Sequence, residues 1–272
     1  MMPVRVRAPA TTANVGPGFD CVAIALDLWN ELEVRDGDGP QDPDHLGVRA
    51  FARLASPEGR TFTFADGIPR ARGLGSSAAV IALGLVAAAT AEGLDLRLEE
   101  LLAAGVGLEG HADNLAAALV GGVCLTWGGK IARIADDAPA VPIALVPDAT
   151  VSTVAARASL PAEIAHDQAA FTAGRAALLG AALASSSTEL FAEALDDRLH
   201  EPYRTANAPL LGRVRAQLPS GALGATISGS GPSVIVWARA DTVDACAAEL
   251  RDRYPDVDVL PLHVSPKGAH AP

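Results

Sequence analysis

The sequence predicts a two-domain chain in which α-helices and β-strands are mixed. Three observations carry this. The chain has 272 residues, 50% of them hydrophobic, enough to bury a substantial core in one or two domains. Strand-like and helix-like patterns occur in both halves, and no internal repeat is present. The character of the sequence changes across Ala138–Pro142, which divides it into 1–140 and 141–272.

Val4–Ala8 alternates as a short strand does, and Thr11–Asp20, rich in Gly, Asn and Pro, reads as a loop. Val22–Val34 supplies one or two strands, and the acidic Asp36–Asp44 an exposed turn. His45–Leu54 reads as a helix, Thr61–Phe64 as a strand and Ile68–Ser77 as a loop. A long apolar helix follows from Ala78, and Asp95 caps a further one through Leu102. Leu115–Val120 is a short helix that stops at Gly121 and Gly122. Val123–Trp127 and Lys130–Ile134 flank Gly128 and Gly129, a hairpin signal. Beyond the boundary, Ile143–Pro147, Ala222–Ser228, Val234–Ala238 and Val257–Val264 read as strands. Pro161–Leu183, Thr188–His200, Tyr203–Leu218 and Thr242–Arg253 read as helices. The Pro266–Pro272 tail reads as disordered.

Composition excludes several function classes. Lys plus Arg total 21 against 32 Asp plus Glu, a net charge of −11, which argues against a nucleic-acid partner that needs a basic face. The richness in Ala, Gly and Arg reads as compositional bias of a genome. Cys21, Cys124 and Cys246 form no disulfide framework, have no common zinc spacing, and suit a reducing cytoplasm. Met1–Pro9 has no apolar leader segment. Ala78–Ala91 is shorter than the ~20 residues of a membrane span, so no membrane role is expected.

Three glycine-rich segments carry the chemistry. The strongest is Pro69-Arg-Ala-Arg-Gly-Leu-Gly-Ser-Ser-Ala-Ala79, ahead of an apolar helix. Glycines admit an anion close to the backbone, and the helix head offers free N–H groups and a positive dipole end. A triphosphate is the ligand type that fits; a tight loop that merely caps a helix is the plainer reading. A Walker A loop needs a lysine that is absent here. A dinucleotide fingerprint needs a buried strand where Pro69 and two arginines stand. The second segment is Ala10–Asp20 and the third Ser228-Gly-Ser-Gly-Pro232; either alone could be an ordinary turn.

Together the three segments resemble the motifs of the GHMP small-molecule kinases. The matching parts are Thr11–Asp20, Gly73–Ala79, Glu109-Gly-His-Ala-Asp-Asn114, Ser152–Arg157, Glu201-Pro-Tyr-Arg204 and Ser228–Pro232, in the family's order from Pro9 to about Ser265. The Asn14–Asp20 and Glu109–Asn114 segments point to the homoserine kinases within that family. The resemblance implies an α+β GHMP kinase two-domain fold. Its N-terminal domain would be ribosomal protein S5 domain 2-like with a left-handed βαβ unit, and its C-terminal domain a ferredoxin-like α/β sandwich. It further implies ATP, Mg²⁺, L-homoserine as acceptor and a homodimer.

By the same resemblance, Pro69, Arg70, Ala71, Arg72, Gly73, Leu74, Gly75, Ser76, Ser77, Ala78 and Ala79 cradle the ATP phosphates, with Gly229 and Ser230 closing over them. Ser77 and Glu109 hold Mg²⁺, a hard ion suited to oxygen ligands. Asn14, Asp20, His111, Thr153, Arg157 and Arg204 match homoserine-site positions. Asp20 suits the ammonium; Arg157 or Arg204 suits the carboxylate, which a guanidinium can grip bidentately. Asn114 and Arg157 are the catalytic positions. Mevalonate kinases carry a carboxylate where Asn114 stands, and Asn takes no proton at ordinary pH. Catalysis without a protein base is therefore expected. His45 and Leu46 stand where relatives often place an Asn beside the nucleotide base, which leaves nucleotide preference open. Two rival readings remain: another GHMP kinase acting on mevalonate, a methylerythritol derivative, shikimate or a sugar, and a catalytically silent sensor.

Overall fold

A computed structural model describes residues 3–272; Met1 and Met2, the head of the segment read for a leader, lie outside the described residues. Two antiparallel sheets organise the chain. The first holds β1 (Val4–Asn14), β2 (Gly18–Asp36), β3 (Arg60–Asp66), β4 (Val123–Trp127) and β5 (Lys130–Ala135). Its order is β1-β2-β4-β5, with β3 also paired to β2. The second, in the order β7-β8-β6-β9, holds β6 (Val141–Pro147), β7 (Ala222–Ile227), β8 (Val234–Ala238) and β9 (Val257–Pro261). Taken by chain position that order is ferredoxin-like.

The expected loop over Thr11–Asp20 is corrected. Only 15–17 leave the ladder. Thr11, Thr12 and Ala13 pair with Ala25, Ile24 and Ala23. These small side chains are fully buried, and ladder bonds outrank their weak local preference. The turn is held open by left-handed Asn14, Val15 and Gly16 at φ 74°, 46° and 69°.

Helices α1 (Leu46–Phe51), α2 (Ser76–Glu92), α3 (Leu98–Glu109) and α4 (Asp113–Val120) belong with the first sheet. α2 is apolar on every side because it is the buried centre of this half. The cap expected at Asp95 is not used. The Arg97 backbone N–H instead donates to the Glu100 carboxylate at 2.8 Å, which starts the helix at Leu98. It then runs past the expected end at Leu102, through Gly105. A Cβ there would meet Leu115 Cδ2 at 2.7 Å, so that glycine marks close helix packing rather than a stop.

The second sheet is buried on both faces, so its central strands show no alternation of polarity. Ile143, Leu145, Val234 and Val236 face α9 (Pro209–Ala216) and α10 (Val243–Arg253). Ala144, Val146, Ile235 and Trp237 face the larger core with α6 (His166–Ser185) and α7 (Thr188–Ala194). Two of the expected helices, Thr188–His200 and Tyr203–Leu218, are broken. The Asp197 carboxylate accepts the N–H groups of Leu199, His200 and Glu201 at 2.8–2.9 Å. That stops the continuation of α7 and heads the short α8 (Glu201–Arg204). Pro209 then forces Ala208 out of helical backbone, at φ −136° and ψ 61°. One helix was not expected: α5 (Thr153–Ala158).

The disordered tail is also corrected. Between its partners β3 and β4, strand β2 has backbone groups neither strand reaches. The segment after β9 supplies them: Asp27 N–H donates to His263 O at 3.0 Å and Ser265 N–H to Ala25 O at 2.9 Å. It continues over α4, where Ala269 N–H reaches Ala118 O at 2.7 Å, and ends on Arg7 through His270. An unsatisfied strand edge is thereby covered.

Candidate active site

The three glycine-rich segments meet between the two sheets. Ser228 Oγ donates to Gly73 O at 2.6 Å, Gly229 N–H to Ala13 O at 3.1 Å and Thr11 N–H to Leu74 O at 3.1 Å. Gly73 and Gly75 are required by this lacing. Both are left-handed, and a Cβ would fall 2.3 Å from Ser228 O at 73 and 1.8 Å from Thr11 Oγ1 at 75. Backbone strain collects here too: Asn14, Asp20 and Ala71 are non-glycine residues at positive φ.

One cleft is lined by Ala71, Arg72, Gly73, Gly75, Ser76 and Ser77 on one side and by Gly229, Ser230 and Gly231 on another. All six expected acceptor residues, Asn14, Asp20, His111, Thr153, Arg157 and Arg204, line the same cleft, as do Glu109 and Asn114. Five expected phosphate-site residues take other places. Leu74, Ala78 and Ala79 are fully buried beneath the loop. Arg70 is exposed and pairs with Asp66. Pro69 is likewise absent from the lining.

At the head of α2, Ser77 Oγ donates to Glu109 Oε2 at 2.6 Å. Burial pushes the Glu109 carboxyl up to about 7, against the Ser77 bond, which favours its ionised form; nearby Asp113 raises it further. Two hard oxygens, one on a carboxylate short of positive charge, fit a magnesium ion. No cluster of three or more His, Cys, Asp or Glu side chains converges among the described residues. Mg²⁺ takes one or two protein ligands and fills its shell from phosphates and water.

At the other end, α5 sets Thr153 and Arg157 on one helical turn. Arg157 Nη2 reaches Asp20 Oδ1 at 2.7 Å and Oδ2 at 2.9 Å. Asp20 N–H donates to Asn14 Oδ1 at 3.0 Å, and Asn14 Nδ2 to Gly229 O at 2.8 Å. Arg204 is 2% exposed and donates from Nη1 to Gly229 O at 3.0 Å. Desolvation lowers its pKa, with Asp20 opposing. Both guanidinium groups lie near the ring of Phe19, at 5.6 Å for Arg157 and 5.1 Å for Arg204.

Asn114 Oδ1 accepts from Thr11 Oγ1 at 2.7 Å. Its neighbour Asp113, given no site role by the sequence, also lines the cleft. Burial raises the Asp113 carboxyl, and its Oδ1 accepts Asn114 N–H at 2.7 Å and Asn114 Nδ2 at 3.3 Å. Val151 is a further lining residue that the sequence reading missed, with no local signal, whereas Gly231 lines the cleft as part of the third glycine segment. His45 caps α1 by accepting Gly47 N–H at 3.2 Å, with its ring 3.9 Å from that of Phe64.

The sequence profile of the GHMP kinases N terminal domain matches residues 46–122, and that of the GHMP kinases C terminal domain matches 170–256. A homoserine kinase of Streptomyces coelicolor is 41% identical over 271 residues, covering 90% of this chain and 87% of its own. One of Gloeobacter violaceus is 39% identical and covers 97% of each. This chain belongs to the homoserine kinase family of the GHMP kinases. As a member it is a small-molecule kinase that uses ATP, and the α+β two-domain GHMP fold is the one expected. The crystal structure of homoserine kinase from Cytophaga hutchinsonii superposes with a TM-score of 0.89 at 27% identity, over 99% of this chain and 97% of that one. Mevalonate kinase of Methanococcus jannaschii shares the fold, with a TM-score of 0.71 at 15% identity over 97% of this chain and 98% of its own. Among the described residues no helix is long and apolar enough to cross a membrane.

Proposed function

We propose that this member of the family transfers the γ-phosphoryl group of ATP to the hydroxyl of L-homoserine, with Mg²⁺ held by Ser77 and Glu109. One observation carries the reading. A single cleft joins a glycine-lined helix head to a group of opposite charges, Asp20 with Arg157 and Arg204. The first feature suits phosphates and the second a zwitterion.

The backbone N–H groups from Gly73 to Ser77 and the positive end of α2 bind the phosphates, and Gly229 and Ser230 close over them. Mg²⁺, when bound, neutralises charge on the phosphates. Asp20 takes the ammonium of homoserine, and Arg204, with Arg157, its carboxylate. The Asp20–Arg157 pair is about two-fifths exposed on both sides, so exchanging it for substrate charges costs little. Asn14, His111 and Thr153 hydrogen-bond the polar backbone or the hydroxyl. Asn114 orients the acceptor and cannot act as a base. Asp113 is occupied on Oδ1 by Asn114. In this scheme the hydroxyl proton passes to a phosphate oxygen late in a loose transition state, and positioning plus electrostatics supply the rate. Asp113→Asn tests this step: turnover is expected to persist, and its abolition with both ligands still bound would replace the scheme with base catalysis by Asp113.

The three free cysteines suit a reducing cytoplasm, and family resemblance supports a homodimer, which sedimentation at graded concentrations would detect. The deciding assay is ADP release with Mg²⁺-ATP and L-homoserine, run beside mevalonate, shikimate and no acceptor. Release that depends on homoserine supports the reading. Release with another acceptor discards the homoserine pocket and keeps the phosphate loop. ATP binding with no release favours the silent sensor.

A further inference from the structure

His200 is a buried polar group beside the cleft to which the mechanism gives no task. It is fully buried, on the side of α8 that faces the β1–β2 turn. Its Nε2 lies 2.8 Å from Gly16 O and its Nδ1 3.4 Å from Arg204 Nη1. A carbonyl can only accept, and a guanidinium can only donate. The two contacts are therefore satisfied together by one state of the ring: hydrogen on Nε2 and a lone pair on Nδ1.

We propose that His200 is a positioning residue for acceptor binding, which ties the Asn14–Gly18 turn to the Arg204 guanidinium. The inference rests on the reading of Arg204 as a carboxylate partner. Three further features fix this arrangement. Its backbone N–H donates to Asp197 Oδ2 at 2.8 Å. Phe19 stacks on it with centroids 4.8 Å apart and planes 20° from parallel, and Phe19 also lies beneath both guanidinium groups. Gly16 cannot retreat, because Leu195 O occupies the space where its Cβ would be, at 2.4 Å. Burial keeps the imidazole uncharged by holding its pKa down to about 4; Asp197 and the Gly16 bond oppose this, Arg204 adds to it, and Asp20 opposes it. Without the Nδ1 lone pair, Arg204 keeps its bond to Gly229 O but loses the contact that sets the plane of the fork.

Two measurements test this. The first needs no substrate. Long-range ¹H–¹⁵N spectra of the six histidines, with the His200 signals found by their loss in a variant, are expected to show Nε2 protonated and Nδ1 bare through neutral pH. A charged ring or an Nδ1–H tautomer would overturn the proposal. The second compares two substitutions. His200→Gln can keep a donor to Gly16 but loses the acceptor to Arg204; His200→Asn keeps an acceptor at the Nδ1 position and loses the donor. His200→Gln is expected to raise KM for homoserine about tenfold, the order of one hydrogen bond to a charged group, with kcat and KM for ATP little changed. His200→Asn, which keeps the acceptor for Arg204 but frees Gly16, is expected to raise the homoserine KM less. Equal effects from both, tracking Tm, would make His200 a packing residue only. If wild type shows no homoserine turnover while the tautomer is as stated, the acceptor assignment falls and the tie between Gly16 and Arg204 stands.

Discussion

Ser77 Oγ and Glu109 Oε2 lie 2.6 Å apart across 32 positions of sequence, and that contact makes one oxygen pair from the head of α2 and the tail of α3. Neither residue is distinctive alone. Their meeting depends on α3 running back past Gly105 to end beside the phosphate loop.

That pair predicts a metal-dependent phenotype. Ser77→Ala and Glu109→Gln are each expected to raise the Mg²⁺ needed for half-maximal turnover by about tenfold or more. The pH dependence has a definite sign. The Glu109 carboxyl lies near 7 instead of 4.5, so between those values the folded chain holds a proton that the unfolded chain has lost. Stability therefore falls as pH rises through that window. Tm measured across it should fall less steeply in Glu109→Gln, and the apparent Mg²⁺ affinity should rise with pH in wild type but not in the variant.

Arg204→Ala should act on acceptor binding. Truncating a buried charged partner typically costs about 2–5 kcal/mol, so KM for homoserine is expected to rise by at least about 30-fold while KM for ATP changes little. Lysine should not restore it, since it lacks the planar fork that holds both Gly229 O and a carboxylate. An unchanged KM in steady-state assays would count directly against the assigned pocket.

Two glycines predict opposite signs. At Gly73 a Cβ would press on the carbonyls of Ser228 and Gly231 at 2.3 and 2.9 Å, with φ at +81°. Gly73→Ala should cost more than about 2 kcal/mol and disable the loop. At Gly107, inside α3, a Cβ meets nothing within 4 Å, and Gly107→Ala should stabilise by up to about 1 kcal/mol. Denaturant midpoints of the two variants check both.

Deleting residues 266–272 should lower Tm and alter the emission of Trp29. The His270 ring meets Trp29 edge-on at 5.8 Å, and Arg7, over the same indole at 4.4 Å, donates from Nε to His270 Nε2 at 3.1 Å. An unchanged Tm and spectrum would show that the tail adds nothing to the first sheet.

Local chemistry made much of this protein legible in its sequence. The hairpin at Gly128 and Gly129, the helix after the glycine loop and the buried strands of the second sheet follow from periodicity and turn residues. So does the proposed phosphate site, because an anion cradle needs small residues just ahead of a helix. The acceptor residues were readable only through motif resemblance, since a lone Asp20 or Arg204 has no local signature. Tertiary structure decided the rest. Thr11–Ala13 join β1 because β2 offers them a ladder, and α7 does not continue because the Asp197 carboxylate takes the N–H groups of the residues that follow it. The tail orders because the segment before it pairs with β2 and leads it over α4 to Arg7. Asp113 and His200 acquire their character from burial and from partners brought near by the fold. A sequence specifies what each residue can donate, accept or bury locally; only the packed chain determines which distant group arrives to meet it, and whether water is still there to compete.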